Sequence, residues 1–341
     1  MKVRRTLVQP AVLLAWALLA SAGTVSAQNA GHRTFTVPGI EPMTVALFYP
    51  TALPARAVPM GPWLPVVAPG APALDTHLKG LILLSHGTSG TELNHHNLGT
   101  RLARDGYLVA AVRHPGDNWQ DRSLVTSGRY FSERPLQLSR ALDALLASPE
   151  WGKRIPTERI GAVGHSAGGY SVLALAGAQA DRQRSSQHCR TVQDDPGYCS
   201  LAKGPGGETP AAASASTAAA DAPPVAVADR RIRAVVALAP MAVVFTAESL
   251  AAIRVPVRVF TAEHDAVLNG KYHGQYAIAN MPRALASTVA GAGHFAFMAQ
   301  PTFPLPSPAG DAAANPPGFD RVAFLPSLDS QIAEFFEDQW R

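Results

Sequence analysis

The chain has 341 residues, of which 47% are apolar, and a formal net charge of +4. Three of these charges come from Lys2, Arg4 and Arg5, within a first stretch of 27 residues that holds no acidic residue, which leaves +1 for the remainder. This balance excludes the broad basic surface of a nucleic-acid-binding protein and a polybasic membrane patch. The length suits one large domain with insertions.

Residues 1–27 have the pattern of a secretory signal peptide. The positive residues precede an apolar run, 11–22, of about 12 residues, shorter than the roughly 20 needed to span a bilayer. The small residues Val25-Ser26-Ala27 predict cleavage after Ala27. We therefore expect a periplasmic or secreted protein without an integral membrane segment. The pair Arg4-Arg5 leaves general secretion and twin-arginine export both open.

Strands and helices are predicted to alternate along most of the chain. Two early strands, 34–37 and 43–49, precede a proline-rich stretch, 50–72, that we expect at the surface. Further strands are predicted at 81–85, 107–112, 159–163, 233–238, 255–261 and 284–289, and helices at 98–105, 132–147, 170–176 and 328–336. Such alternation predicts an α/β fold with a mostly parallel sheet that helices cover on both faces.

The alternation stops between residues 178 and 230, where two cysteines precede a low-complexity run, 203–228. We predict a flexible insertion within a single domain, 28–341, rather than a domain boundary. This insertion could form a lid over the site or be a disordered surface segment, and the sequence leaves both alternatives open. Since disulfides form in the oxidising environment outside the cytoplasm, Cys189 and Cys199 are predicted to form a disulfide.

The sequence Gly164-His165-Ser166-Ala167-Gly168 has the G-x-S-x-G pattern of a nucleophile elbow. A predicted strand precedes it and an apolar helix follows it, which is the context that this motif requires. Small residues around the turn let the backbone expose a serine hydroxyl at the edge of the sheet. Ser166 is therefore the predicted nucleophile, and His165 is predicted to pack against the sheet.

A serine nucleophile needs a base, and the base needs a carboxylate that fixes its tautomer. His294 follows the last predicted strand in a glycine-rich loop, so we predict it to be the base. Asp265 follows the preceding strand and is the predicted acid, with Glu263 as its rival. His264, between the two carboxylates, is predicted to be a bystander.

An oxyanion hole needs two backbone N–H donors. We expect one from Ala167, directly after the nucleophile, and the other from Thr88, in the loop after the strand at 81–85. His86 is predicted to shape that loop rather than to act as a base. The residues predicted to line a substrate pocket are His86, His114, Trp119 and Phe295.

No phosphate loop, dinucleotide fingerprint or zinc signature is recognisable in the sequence, so we predict neither a cofactor nor a metal ion. The pair His95-His96 lacks a carboxylate or cysteine at ligand spacing. We expect it to form a solvated helix start.

Together these segments resemble the α/β-hydrolase superfamily, and more narrowly its dienelactone-hydrolase or platelet-activating-factor-acetylhydrolase-like branch. The segments that carry the resemblance are Leu47-Phe48-Tyr49-Pro50, Ser85-His86-Gly87, Arg113-His114-Pro115-Gly116, Gly164-His165-Ser166-Ala167-Gly168-Gly169 and Gly291-Ala292-Gly293-His294-Phe295. Dienelactone hydrolases use a cysteine nucleophile, so Ser166 favours plain ester hydrolysis. Bacterial polyester hydrolases are similar in build, but Thr88 stands where they carry an aromatic clamp.

The sequence therefore predicts a secreted carboxylic-ester hydrolase that works through a Ser-His-Asp triad and an acyl-enzyme. A peptide or amide hydrolase with the same triad, and a non-catalytic binding protein on a hydrolase scaffold, are the alternatives. The expected partner is an ester substrate, either a small molecule or a lipid or polyester, and not a nucleic acid. Pocket size depends on loops within 50–72, 114–123, 178–230 and 300–317, and the oligomeric state stays open.

Overall fold

A computed structural model describes residues 28–125, 127–201, 223–307 and 310–341. The predicted signal peptide and most of the low-complexity run lie outside the described residues. Within the described part of the chain, no helix is long and apolar enough to cross a bilayer.

Ten strands of the described chain form one mixed sheet. They are β1 (Asn29–Val37), β2 (Met43–Thr51), β3 (Arg56–Ala57), β4 (Val66–Pro69), β5 (Leu81–Ser85), β6 (Leu108–Val112), β7 (Ile160–His165), β8 (Ala234–Leu238), β9 (Val257–Ala262) and β10 (Leu285–Val289). Their order is β10-β9-β8-β7-β5-β6-β2-β1-β4-β3. The six neighbouring strands β6, β5, β7, β8, β9 and β10 are parallel to one another. Strand β2 pairs antiparallel with both β1 and β6.

Helices connect the parallel strands. They are α1 (His96–Arg104), α2 (Tyr130–Ala147), α3 (Ala167–Leu175), α4 (Arg182–Thr191), α5 (Pro196–Leu201), α6 (Ala247–Ala251), α7 (Gly274–Asn280) and α8 (Arg321–Gln339). A small hairpin of β11 (Pro306–Ser307) and β12 (Gly310–Asp311) precedes α8.

Both faces of the sheet are buried at its centre, which explains why the sequence of β5 is apolar almost throughout. Leu81 and Leu83 point to one core, which α2, α3, α6 and α7 cover. Ile82 and Leu84 point to the other core, beneath α1 and α8. Since neighbouring side chains on a strand face opposite ways, a strand between two helical layers cannot alternate with polar residues. The predicted fold class, an α/β fold with a mostly parallel sheet covered on both faces, is confirmed.

The proline-rich stretch, 50–72, differs from the surface loop that we predicted. Its short strand β4 pairs parallel with β1 and extends the sheet, and β3 pairs with β4. Between them Trp63 is almost fully buried against Met298, Ala299 and Ala312. The prediction failed because the prolines obscured a contact with residues more than 200 positions away along the chain.

The first described part of the insertion, 178–201, is mainly helical, whereas its last part, 223–230, is not and pairs Val225 with Ala180 in an isolated β-bridge. The predicted disulfide between Cys189 and Cys199 is present and joins α4 to α5. Between these helices, Asp195 accepts hydrogen bonds through Oδ2 from His188 Nε2 (2.7 Å) and His273 Nε2 (2.9 Å). Its Oδ1 accepts from the backbone N–H of Asn269 (3.0 Å). The insertion therefore braces the loop that follows β9.

Asp329, in α8, is a buried carboxylate whose oxygens both accept from Asn97 Nδ2, at 3.0 Å each. Burial raises the pKa of Asp329 to about 7, against the hydrogen bond from Asn97 and the charges of Arg101 and Arg104, which lower it. Near neutral pH the folded chain therefore holds a proton that the unfolded chain has lost.

As the pH rises from about 4 to 7, we expect Asp329 to lower the free energy of unfolding by about 1.4 kcal/mol for each pH unit. The Asp329→Asn variant removes the titrating group, so its stability relative to the original chain should be greater at pH 8 than at pH 5. Urea unfolding of both proteins at the two pH values measures this difference. An equal difference at both pH values would contradict the burial argument.

Candidate active site

Ser166 stands alone between β7 and α3, in a backbone conformation that L-residues rarely adopt (φ 58°, ψ −116°). Its N–H donates to the carbonyl of Leu238 at 2.9 Å, and its own carbonyl accepts from the N–H of Met241 at 3.0 Å. These bonds to the neighbouring strand β8 and the segment after it hold the strained turn in place. Backbone strain of this kind is concentrated at functional sites.

Two glycines make this turn possible. A methyl group on Gly164 would collide with the carbonyl of Gly168, and one on Gly168 would collide with the carbonyl of Ser85. The start of α3 therefore packs directly on the ends of β5 and β7. The close contact places Ser166 at the carboxyl edge of the sheet, where the motif predicted it.

The structure brings Asp265 to His294. The loop after β9 carries Asp265, and His294 opens a short 3-10 turn, His294–Phe297, after β10. The two side chains meet through a hydrogen bond from His294 Nδ1 to Asp265 Oδ2, at 2.8 Å, and both are buried. Because Nδ1 donates, Nε2 is left to accept a proton.

The other oxygen of Asp265 is also satisfied. Oδ1 accepts from the backbone N–H groups of Val267 (2.9 Å) and Leu268 (2.8 Å). Burial alone would raise the pKa of Asp265. The charge of His294 and the hydrogen bonds from all three donors outweigh burial and hold this pKa below its ordinary value. Asp265 is therefore an anion at neutral pH, suited to orient and stabilise an imidazolium.

Glu263, the rival acid, faces elsewhere. Its carboxylate accepts from the N–H of Gly291 at 2.7 Å, and its side chain is 51% exposed. His264 is exposed as well. Of the two carboxylates, only Asp265 is hydrogen-bonded to His294.

His165 does more than pack against the sheet. Its Nε2–H donates to the backbone carbonyl of His294 at 2.9 Å, and burial, followed by the nearby His294, lowers its pKa well below the ordinary value. His95 similarly donates from Nδ1 to the carbonyl of Phe297 at 3.0 Å. Two neutral histidines thus hold both ends of the turn that carries His294. The expected solvated helix start at His95 is wrong, because His95 is buried.

The loop after β5 passes beside the nucleophile. Gly87 lies so close to Ser166 that a Cβ at this glycine would be 3.3 Å from the Ser166 Cβ. Thr88 follows and lines the same cavity as Ser166. Ala167 is the first residue of α3, so its N–H has no acceptor within the helix. The assignment of these two N–H groups to an oxyanion hole stays a prediction.

His86 and His114 do not line the cavity, contrary to their predicted place in a substrate pocket. Both are almost fully buried, and burial, then the charge of Arg134, lowers the pKa of each well below its ordinary value. His114 bonds Ser85 Oγ through Nε2 (2.8 Å) and Gln137 Oε1 through Nδ1 (2.6 Å). They are neutral members of a hydrogen-bonded core behind the loop that follows β5. Sequence position at the carboxyl edge did not reveal which way these side chains turn.

A cavity of about 720 Å³ opens above Ser166 and His294. Trp119 and Phe295 line it, as predicted, together with residues that the sequence did not single out. Those added by the structure include Met60, Trp63, Leu93, Arg113, Arg122, Met298, Leu305 and Ala312. None of the described residues of the insertion lines this cavity. The walls are mainly apolar, which suits an organic substrate with a large apolar group.

A metal site was not predicted, and among the described residues no three His, Cys, Asp or Glu side chains form a group that could hold a metal ion. Ser166 and His294 both line the cavity, and Asp265 is hydrogen-bonded to His294.

No protein-family model and no curated protein matches the chain. Among solved structures it is similar to one described as a ferulic acid esterase from Streptomyces cinnamoneus, with a TM-score of 0.56 and 19% identity. The alignment covers 94% of this chain and 92% of that chain. The chain has the α/β-hydrolase fold. The likeness does not separate the branches of the superfamily that the sequence resembles.

Proposed function

We propose that the protein is an exported serine hydrolase that cleaves carboxylic esters. The observation that carries the proposal is Ser166, held in a strained elbow beside the hydrogen-bonded pair His294 and Asp265, at the floor of an apolar cavity. This is the set of groups that acyl transfer requires. Export to the periplasm or the medium follows from the predicted signal peptide, and the disulfide is consistent with it.

The reaction follows from the roles of these groups. His294 Nε2 takes the proton of Ser166 as Oγ attacks the ester carbonyl carbon. The oxyanion lies between the N–H groups of Thr88 and Ala167. The tetrahedral intermediate then expels the alcohol, which takes the proton from His294, and leaves an acyl-serine. Water, deprotonated by His294, then attacks the acyl carbon. The second tetrahedral intermediate breaks its bond to Ser166 Oγ, which takes the proton back from His294, and the carboxylic acid leaves.

Pre-steady-state hydrolysis of p-nitrophenyl esters tests the acyl-enzyme. We expect a burst of nitrophenolate that approaches one equivalent per protein chain when deacylation is slow. A fluorophosphonate probe should label the protein at Ser166. Hydrolysis of a peptide panel at rates above those of the esters would favour the amide-hydrolase alternative. Absence of both labelling and turnover would favour a binding protein.

The cavity volume favours esters with a bulky apolar or aromatic group over acetate. The ferulic acid esterase of similar fold is named for a substrate of this kind, so a feruloyl ester belongs in the test series. A set of p-nitrophenyl esters from acetate to long-chain acyl, with a feruloyl ester and a polyester film, measures the preference as kcat/KM.

Trp119 offers a first test of the cavity wall. It is 61% exposed at the rim of the cavity. We expect Trp119→Ala to raise KM for a bulky aromatic ester about tenfold, because an aromatic contact contributes on the order of 1.4 kcal/mol of binding. KM for p-nitrophenyl acetate should stay within about twofold. Phe303→Ala, an exposed aromatic outside the cavity lining, is the matched control, and an equal effect of the two changes would contradict the assignment.

A further inference from the structure

Asp117 and Arg134 form an ion pair in which both side chains are fully buried. Taking two charges out of water costs several kcal/mol each, and their attraction repays this only when further hydrogen bonds satisfy both groups. Such a pair contributes little to stability compared with an apolar pair of the same volume. The partners of Asp117 and Arg134 therefore indicate what the pair does.

Two of these partners, His86 and Ser89, lie on the loop after β5. Arg134, from α2, donates to the backbone carbonyl of His86. Asp117 Oδ1 accepts from the N–H of Ser89 at 2.7 Å, and Asp117 Oδ2 accepts from the hydroxyl of Tyr130 at 3.1 Å. That same Tyr130 hydroxyl lies 3.2 Å from Thr88 Oγ1. The network thus holds the loop on both sides of the Thr88 backbone N–H.

The loop needs to be held because its backbone is strained. Ser89 has a φ of 60°, in the left-handed region that non-glycine residues rarely adopt. Such a conformation is disfavoured and persists only where its surroundings enforce it. The Asp117 carboxylate supplies that enforcement, since a charged acceptor forms a stronger hydrogen bond with the Ser89 N–H than a neutral one does.

The network also reaches the nucleophile helix. Arg134 Nε donates to Ser171 Oγ at 3.3 Å, and Ser171 Oγ donates in turn to the carbonyl of Ala167 at 3.0 Å. One guanidinium therefore connects the loop of Thr88 with the first turn of α3. These two segments carry the two predicted oxyanion donors.

We propose that Asp117, Arg134 and Tyr130 are positioning residues of the oxyanion hole, which fix the N–H of Thr88 relative to the N–H of Ala167. They touch neither the substrate nor the reacting atoms, and the inference rests on the proposed function. Donors fixed before the reaction stabilise the charge that develops in the transition state without reorganising. Loosening them by about 1 Å costs up to about 100-fold in rate.

Tyr130 is suited to this position. Burial, reinforced by the charge of Asp117, raises the pKa of Tyr130 above its ordinary value. Its hydroxyl therefore stays protonated across the working pH range and donates to Asp117, which leaves its oxygen free to accept from Thr88.

Two substitutions test the proposal. Tyr130→Phe deletes one hydroxyl, and Asp117→Asn removes the charge without changing the shape. We expect kcat for a p-nitrophenyl ester to fall about 10-fold in the first and about 100-fold in the second, with KM within about twofold. The affinity of phenylboronic acid, which forms a tetrahedral adduct with Ser166, should fall in parallel with kcat, because the adduct needs the same donors.

Ser139→Ala is the matched control, since it also removes one hydroxyl hydrogen bond, to Asp229, from the same helix α2. Its kcat and boronate affinity should stay unchanged. If Asp117→Asn does not fold, Tyr130→Phe decides alone, because it leaves no charge unpaired. Folded variants whose kcat and boronate affinity match those of the original chain would overturn the proposal, and so would a change confined to KM.

The same assay separates this proposal from the function on which it rests. A protein without turnover on any ester contradicts the proposed function itself. An active protein that Ser166→Ala inactivates, but that Tyr130→Phe and Asp117→Asn leave unaffected, contradicts the positioning role alone.

Discussion

The Ser166→Ala variant is expected to lose ester turnover by at least about 10⁴-fold, because no other group at the elbow can form the acyl-enzyme. Ala fits the space of Ser166, so the variant should fold and still bind substrate in the cavity. The measurement is kcat with p-nitrophenyl esters, together with fluorophosphonate labelling, which should disappear. Retention of more than about a tenth of the activity would refute Ser166 as the nucleophile.

Ser330→Ala is a suitable control for this variant. Ser330 lies on α8, accepts a hydrogen bond from Arg101 on α1 and does not line the cavity. It should keep full activity.

A second variant measures the strain at the elbow. Ser166→Gly should be inactive but more stable by about 1 kcal/mol, because glycine adopts the φ of 58° without steric cost. A less stable Ser166→Gly would contradict the inference that the turn is strained.

The Asp265→Asn variant is expected to lower kcat by about 10³- to 10⁴-fold. The Asp265 carboxylate holds the proton of His294 on Nδ1, whereas an amide can donate to Nδ1 and so leave the proton on Nε2. His294 could then no longer take the proton of Ser166. KM should change little, because Asp265 is buried behind His294 and does not line the cavity.

Glu263→Gln provides the matched control, two residues away in the same loop. Its carboxylate accepts from the N–H of Gly291, so the amide oxygen of Gln can replace it, and kcat should stay within about twofold. The opposite ranking, with Glu263→Gln inactive and Asp265→Asn active, would show that the loop rearranges in solution and that Glu263 is the acid.

Much of the fold could be predicted because its signals are local. The run at 81–85 is apolar over its whole length, since β5 lies between two helical layers. The glycines around Ser166 are required by contacts of the turn itself, so the motif carries its own geometry. Asp265 and His294 were placed by chain order and by their positions after β9 and β10.

The remaining features depend on contacts between distant segments, which leave no periodic signal in the sequence. Arg134 in α2 was not among the predicted site residues, yet it is fully buried together with its partner Asp117. Trp63 lay among prolines and could not be assigned to the cavity until Met298 and Ala312 were placed beside it. The direction of the His114 side chain is likewise set by Gln137 on α2, and that of His86 by the backbone N–H of His114, which donates to its Nε2.

The cavity walls have a consequence for how this protein can change. Apart from His165, Ser166, Val267 and His294, the described residues that line the cavity come from four separate segments, 60–63, 87–94, 113–122 and 295–312 without residues 308–309. The proposed triad residues instead follow the ends of strands that are packed in two larger cores. Loop segments tolerate substitution better than the strands that they connect. The preferred substrate can therefore diverge by replacement of wall residues while the elbow stays fixed, and laboratory evolution of new specificity would best begin there.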